Sequence, residues 1–437
     1  MTIRPWLIGG AVFAAVAGSG WAGSSWYSGQ QVSNFYQQAS VQLNQQYGDM
    51  LNYQVVSHKK GFLNSQVEWR LDLTPDPCQP DQQLSLTGRD DIRQGLRPDL
   101  SVAQIETHIH WPDQIQPKLT EIFGQQVPLK ISTQVALNGD FKTLLRSPPL
   151  QLKRDGNQLD WQGLEGQIQS DGDQIETDVS MPKLHAQLAD RIEVILDQLN
   201  YKTRQTRTGN TIAIGQAKLS LNSLQMQMAD QSIGARGLSL SSDTQQVDQQ
   251  LTGQLDYQIK TLQHQKQDIG NLDIKMTVSG VNAAQANQSY QALLDLNSQC
   301  KPAPDAVWQA VKPVITSGFK FSIDTFKLAL WGGDATLKGQ LTLPKSNAAA
   351  REQPAALLSQ VDAIAEVSIS DILLNSVAGR VFAAQGQAAS PAEVMSTLHL
   401  LLNAPVQQGL LIKTSAGYQA KLQVKNGQPL VNGQPLR

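Results

Sequence analysis

The chain has 437 residues and a formal net charge of −2, enough length to bury a large core and to hold two or three domains. That balance excludes a basic surface for nucleic acid and an acidic tail. Charged residues make up only 16% of the chain, well below the usual quarter. Glutamine, asparagine, serine and threonine supply the polarity, which suits exposed strand positions better than an electrostatically steered enzyme.

The first element is an apolar and small-residue run from Pro5 to Gly23, with Arg4 just before it. As a helix it spans roughly 28 Å, close to the thickness of bilayer hydrocarbon. Trp6 and Trp21 stand near its two ends and Trp26 just beyond, where interfacial anchors belong. Arg4 and the terminal amine are the nearby positive charges. The expected topology is a single pass through a bacterial inner membrane, N-terminus cytoplasmic and bulk of the chain periplasmic. Ala15-Val16-Ala17 offers the competing reading of a cleaved signal peptide, but the apolar run continues past it through Trp21. Under either reading the chain after residue 24 is exported.

Val32, Phe35, Tyr36, Ala39, Leu43 and Tyr47 fall at helical spacing among glutamines, which predicts a juxtamembrane amphipathic helix within 25–50. From residue 51 the period changes to two. NYQVVSH, SQVEWRLDL, SVAQIETHIHW and LKISTQVALNG alternate apolar with polar residues between turn signals, the pattern of antiparallel strands with one wet face. The same alternation returns down the chain to QAKLQVK. Gly166, Gly253 and Gly339 occupy similar places inside three of these strands and predict repeated bends. Helical spacing appears over 283–296, 305–316, 371–382 and 391–402, the last with Ser390 as cap and Pro391 at the first position.

The expected fold is therefore mainly β with helices (α+β). A transmembrane anchor over 1–24 and a juxtamembrane helix over 25–50 lead into an exported β-rich domain over 51–437. That domain reads as a large curved antiparallel sheet with several packed helices, and two lobes of it would meet near residue 281.

Few residues carry candidate chemistry. Cys78 in TPDPCQPD and Cys300 in NSQCKPAPD lie on polar loops. An exported chain with two such thiols invites one disulfide, provided that their Cα atoms come within about 7 Å. Lys202, Arg204 and Arg207 beside Tyr201 form a basic cluster that reads either as a lipid headgroup contact or as a solvated strand face. His108 and His110 share one strand face with Glu106, short of the ligands a metal site needs. His58, His185, His264 and His399 have no local partner in the sequence. Asp171-Gly172-Asp173 lacks the further ligands of a calcium loop and reads as a turn. Nucleophile-elbow, Walker, zincin and Cys-x-x-Cys patterns are absent. No catalytic residue, metal or cofactor is expected.

Ser25-Trp26-Tyr27-Ser28-Gly29, Lys60-Gly61-Phe62-Leu63-Asn64-Ser65, Asn271-Leu272-Asp273, the stretch from Pro313-Val314 to Leu343, and Leu430-Val431-Asn432-Gly433 together resemble the YdgA-like family of bacterial membrane-anchored envelope proteins, whose domain has no assigned function. The resemblance implies an inner-membrane anchor and a periplasmic β-rich domain, and it implies no catalytic residues. One departure is His110-Trp111-Pro112, where that family tends to carry His-Gly-Pro.

The chain thus reads as non-enzymatic. The apolar side of its sheet is either buried against helices or left as a groove. A groove would take lipid or another hydrophobic ligand. The alternatives are a scaffold that recruits a partner by β-strand addition and an enzyme built around His108 and His110. The expected partners are membrane lipids, an envelope protein and a second copy of the chain.

Overall fold

A computed structural model describes residues 51–61, 64–74, 83–95, 101–136, 140–154, 156–188, 192–206, 212–297, 301–346, 359–384, 390–425 and 427–435, with Tyr36, Ser40, Val41, Asn44, Cys78 and Asn138. The expected anchor over 1–24, with Arg4, Trp6 and Trp21, lies outside the described residues, as does Trp26. Among the described residues no helix is long and apolar enough to cross a membrane. Of the expected helix within 25–50, the four described residues are helical.

The chain divides into two compact units. The first comprises Met1–Ala189, Asp197–Ala217 and Asn287–Val311, and the second Asp190–Leu196, Lys218–Ala286 and Lys312–Arg437. In the first lie β1 (Leu51–Lys60), β2 (Asn64–Leu73), β3 (Leu84–Gln94), β4 (Ser101–His110), helix α1 (Gln116–Phe123), β5 (Lys130–Ala136), β6 (Phe141–Ser147), β7 (Leu150–Arg154), β8 (Asn157–Trp161), β9 (Leu164–Asp171) and β10 (Gln174–Leu188). Their pairings are all antiparallel and run β1, β2, β3, β4, β5, β6, β9, β10, β8, β7. Period-two sequence becomes continuous rows across such a sheet, because register partners point to the same face. Ser65, Ile92, Ile105, Thr133, Thr143, Ile168 and Thr177 form one row, and every member is buried. The two central threonines satisfy each other across it, Oγ1 to Oγ1, at 2.9 Å.

Strands β11 (Ile192–Thr206) and β12 (Ile214–Met228) each contribute residues to both units, as do α2 (Ala283–Asn297) and α3 (Pro304–Ser317). The second unit holds β13 (Gln231–Val247), β14 (Gln250–His264), β15 (Gln267–Asn282), β16 (Phe319–Leu330), β17 (Gly333–Leu343), β18 (Asp362–Ser370), α4 (Asp371–Ala384), α5 (Pro391–Gln407), β19 (Ile412–Lys413), β20 (Gly417–Lys425), β21 (Gln428–Val431) and β22 (Gln434–Pro435). Here β13 to β18 pair in sequence order and β20 follows β18. Short β19 and β21 share the far edge of β20.

The mainly antiparallel sheet with helices agrees with the expected fold class. Helix α5 starts where the sequence places it. Ser390 accepts the Glu393 N–H at 3.3 Å, and Glu393 Oε2 accepts the Ser390 N–H at 2.7 Å, a reciprocal capping box. The three similarly placed glycines do not share one role. Gly253 and Gly339 sit beside register shifts in β14 and between β16 and β17. Gly166 lies in a packed row where a Cβ would meet Leu145 Cδ1 at 2.8 Å. Asp171-Gly172-Asp173 is a turn, with Gly172 at φ 59° joining β9 to β10.

Candidate functional site: a closed face and an open one

The two units treat the same sequence pattern differently. In the first, the apolar face is sealed. Val67, Leu71, Leu86, Ile92, Ala103 and Val135 are essentially inaccessible and form one cluster with Tyr36, Tyr53 and Trp69. Tyr36, Ser40 and Asn44 lie on one helical face, four residues apart. Ser40 Oγ and Asn44 Nδ2 donate to the Tyr53 carbonyl at 2.7 and 3.1 Å, and Asn44 Oδ1 accepts the Tyr53 N–H at 2.7 Å. Polar side chains therefore dock this helix by capturing the backbone at the start of β1.

Beneath it lies Asp90, fully buried. Tyr36 O–H donates to its Oδ2 at 2.8 Å. Burial pushes this carboxyl above its ordinary range, against the pull of donors on Thr107, Tyr36 and Trp69. The pull is incomplete, since Asp90 Oδ1, Trp69 Nε1 and Thr107 Oγ1 each lack a partner of good hydrogen-bond geometry. A raised native value means that the folded state holds the proton more tightly than the unfolded chain. The contribution of Asp90 to stability is then fully present below about pH 4, where the unfolded aspartate is protonated too, and is lost as pH rises through the native value. Asp90→Asn keeps an acceptor for Tyr36 and removes the titration, so it flattens that decline. Urea midpoints from pH 4 to 8 check this, and parallel curves for the two proteins would show that Asp90 ionises without penalty.

The second unit carries a broader apolar face. One register row runs through Leu238, Ile259, Leu272, Leu328, Ala335, Ile369 and Tyr418, and the next through Leu240, Tyr257, Ile274, Phe326, Leu337, Val367 and Ala420. Further rows follow through Leu255, Met276 and Ile323 and through Val278, Phe321 and Leu341. The opposite face is polar, as in Ser239, Gln258, Asp273, Lys327, Thr336, Ser368 and Gln419. Of the apolar residues named here, only Ile259 and Tyr418 are buried. The others are half-buried, and Val367 is 37% exposed. With strands about 4.8 Å apart, the two full rows are each roughly 30 Å long, and the two further rows cross three strands each.

The row that ends on Tyr418 ends at a cavity of about 430 Å³, within the usual range of ligand pockets. Ser396, His399, Leu400, Leu402, Asn403 and Val406 of α5 line it with Lys413 of β19 and Tyr418 of β20. The Tyr418 hydroxyl lies 3.1 Å from His399 Nδ1. Lys413 Nζ stands 4.2 Å over the Tyr418 ring and 2.6 Å from both carboxylate oxygens of Asp371. A second cavity, about 360 Å³, lies chiefly on the polar side, where Glu366 pairs with Lys421 at 3.0 Å.

The family described as bacterial protein of unknown function (DUF945) matches residues 6–437. The chain belongs to the DUF945 family. Protein YdgA of Escherichia coli strain K12 is 22% identical over 304 residues, 62% of this chain and 60% of YdgA, so the similarity spans less than two thirds of that relative's length. No solved structure matches. The expected YdgA-like resemblance is thus borne out, and the DUF945 match runs through the residues of both units.

Within this DUF945 chain, the residues singled out by sequence fall in separate places. Cys78 is disulfide-bonded, while Cys300, the other cysteine of the sequence, lies outside the described residues. Lys202 pairs with Asp178 at 2.8 Å and Arg204 with Glu176 at 2.5 Å, and Arg207 lies outside the described residues. The Gln169 amide and then Arg204 hold the Glu176 carboxyl below its usual range. These two cations are therefore answered within the protein. His108 Nε2 lies 3.1 Å from Asp91 Oδ2 on the exposed face. Trp111, standing where the resembling family tends to have glycine, packs against the first unit's core. Sequence reading missed the surroundings of His399. Its partner Tyr418 lies on another element, and only the alternation of β20 hinted that Tyr418 faces the apolar side.

Proposed function

We propose that this DUF945 protein is a non-catalytic holder of a hydrophobic ligand, seated on the apolar face of the second unit and tethered to the bacterial inner membrane through residues 1–24. The observation that supports this is the half-buried state of the apolar rows across β13 to β16, beyond the end of the sheet where α4 packs on β17, β18 and β20. Covering such a face would stabilise the fold by about 25 cal/mol for each Å² removed from water. A face kept open at that cost has a use outside the fold.

Strand addition has weaker support. β1, at one end of the strand order, carries a bulge between Val55 and Ser57 and finishes in Lys59 and Lys60, devices that blunt an edge against a further strand. The far edge of β20 is already taken by β19 and β21. An enzyme built around His108 and His110 has only the exposed His108–Asp91 contact to recommend it.

The test is titration of the full-length protein with a solvatochromic hydrophobic dye. The wild-type protein should give a saturable rise in emission. Phe326→Asp, which places a charge in the middle of the face, should weaken binding about tenfold or more with little change in melting temperature. No saturable signal from the wild-type protein, or undiminished binding by the variant, refutes the proposal.

A further inference from the structure

We propose that the helix carrying Tyr36, Ser40 and Asn44 is a proton-operated strap on the first unit. It stays docked while Asp90 is protonated, and its Tyr36 end lifts when Asp90 ionises.

The placement of the contacts is the first argument. Ser40 and Asn44 hold the backbone of Tyr53, through groups that do not titrate. Tyr36, one to two turns nearer the N-terminus, bonds to Asp90. One end of the helix is therefore fixed at every pH, and the other rests on a group that changes charge. The end that rests on Asp90 is the one that leads back to residues 1–24.

The second argument is the setting of Asp90. Its carboxyl is 0% exposed, and no lysine or arginine among the described residues answers it. Its Oδ1 lacks a partner of good geometry, as do Trp69 Nε1 and Thr107 Oγ1. A neutral carboxyl tolerates such a place. An anion there gives up its hydration for an incomplete set of donors. The sheet itself cannot yield, because Asp90 stands in mid-strand between Val67 and Thr107 in the register. Lifting the helix is the smaller change that brings water to the carboxylate.

The other ionisable groups around Asp90 do not supply this response. Tyr36 and Tyr53 face it from the helix and β1. Burial, and then the charge of Asp90, holds both phenols well above their ordinary value, so they stay neutral. His58 shares the register row of Asp90, with Val67 between them. Burial and then Lys60 hold its imidazole below the ordinary value, so its protonation would loosen this region at low pH, the opposite sense. Arg89, Asp91 and His108 belong to the outer face, where His108 Nε2 and Arg89 Nη2 lie 3.1 and 3.2 Å from Asp91 Oδ2. In the lifted form Asp90 is an ordinary aspartate that ionises near about pH 4. Opening is then rarest below that pH. It grows by up to about tenfold per pH unit until the docked carboxyl ionises too.

Hydrogen exchange of the full-length protein in amphipol, from pH 5 to 8, measures this opening on a peptide spanning residues 36–44. Asp90→Asn measured at the same pH cancels the intrinsic pH dependence of exchange. The ratio of opening in wild type to opening in Asp90→Asn should rise about tenfold or more across that range. A peptide from β5 should show a constant ratio. Tyr36→Phe gives an independent reading, since it keeps the carboxyl and removes a donor, and its rise should keep the same sign and reach to higher pH. His108→Gln should leave the rise in place. A level ratio, or a rise that vanishes in Tyr36→Phe, overturns the strap. A rise lost in His108→Gln would assign the response to the outer face, and one shared equally by β5 would mean that the whole unit opens. Either of these also overturns it.

Discussion

Leu71→Ala should destabilise its unit by about 3 kcal/mol, whereas Leu328→Ala should cost about 1 kcal/mol or less. The two leucines look alike in sequence, each an inward member of an alternating strand. Leu71 is 0% exposed and packed in the sealed cluster of the first unit, so its truncation leaves a cavity as well as losing transfer free energy. Leu328 is only half-buried, so water or ligand reaches the space that its truncation vacates. Native-state hydrogen exchange, followed on peptides from β2 and β16, separates the two effects, because each strand reports on opening in its own neighbourhood. Equal losses at the two sites would mean that the second face is a filled core, and the proposed binding surface would disappear with it.

Gly88→Ala should cost about 2–3 kcal/mol, near the top of the range for overpacking a core. Gly88 lies opposite Trp69 in the β2–β3 register. A Cβ there would fall 2.2 Å from Trp69 Cζ2 and 2.6 Å from Cε2. The indole is buried, with Tyr53 beside it at a ring-centroid distance of 6.1 Å, so it has nowhere to retreat without disturbing the helix that carries Tyr36. Trp69→Phe removes the colliding atoms, and the double variant should recover part of the loss. That positive coupling is expected only of residues in direct contact. Thermal unfolding of the four proteins of the cycle measures it, and simple additivity would show that the indole lies elsewhere.

The strands were legible because alternation is a local property. SQVEWRLDL and SVAQIETHIH each announce a wet and a dry side, and the Ser390 cap announces α5 just as plainly. What no local signal discloses is whether a dry side will be covered. That depends on chain segments arriving from far away, so Leu71 and Leu328 carry the same signal and meet different fates. The helix over Asp90 shows a second limit. Its apolar stripe was readable, but its docking depends on Ser40 and Asn44, whose role exists only once the Tyr53 backbone is in place. Helix α1, eight residues with none buried, is too short to show a period of 3.6. Lys202 and Arg204 looked like a free basic cluster until the strand bearing Glu176 and Asp178 came alongside.

The interleaving of the two units along the chain governs how the protein can be made. The first unit draws its last residues from Asn287–Val311, so a ribosome must add more than a hundred residues beyond Ala189 before that unit can be complete. At ordinary rates of synthesis the wait is on the order of ten seconds. Meanwhile β1 to β10 can already close the buried cluster that runs from Tyr36 to Val135, while the two later segments have still to arrive. Cutting the gene at residue 189 would therefore yield a fragment that keeps this buried cluster and lacks the unit's two later segments.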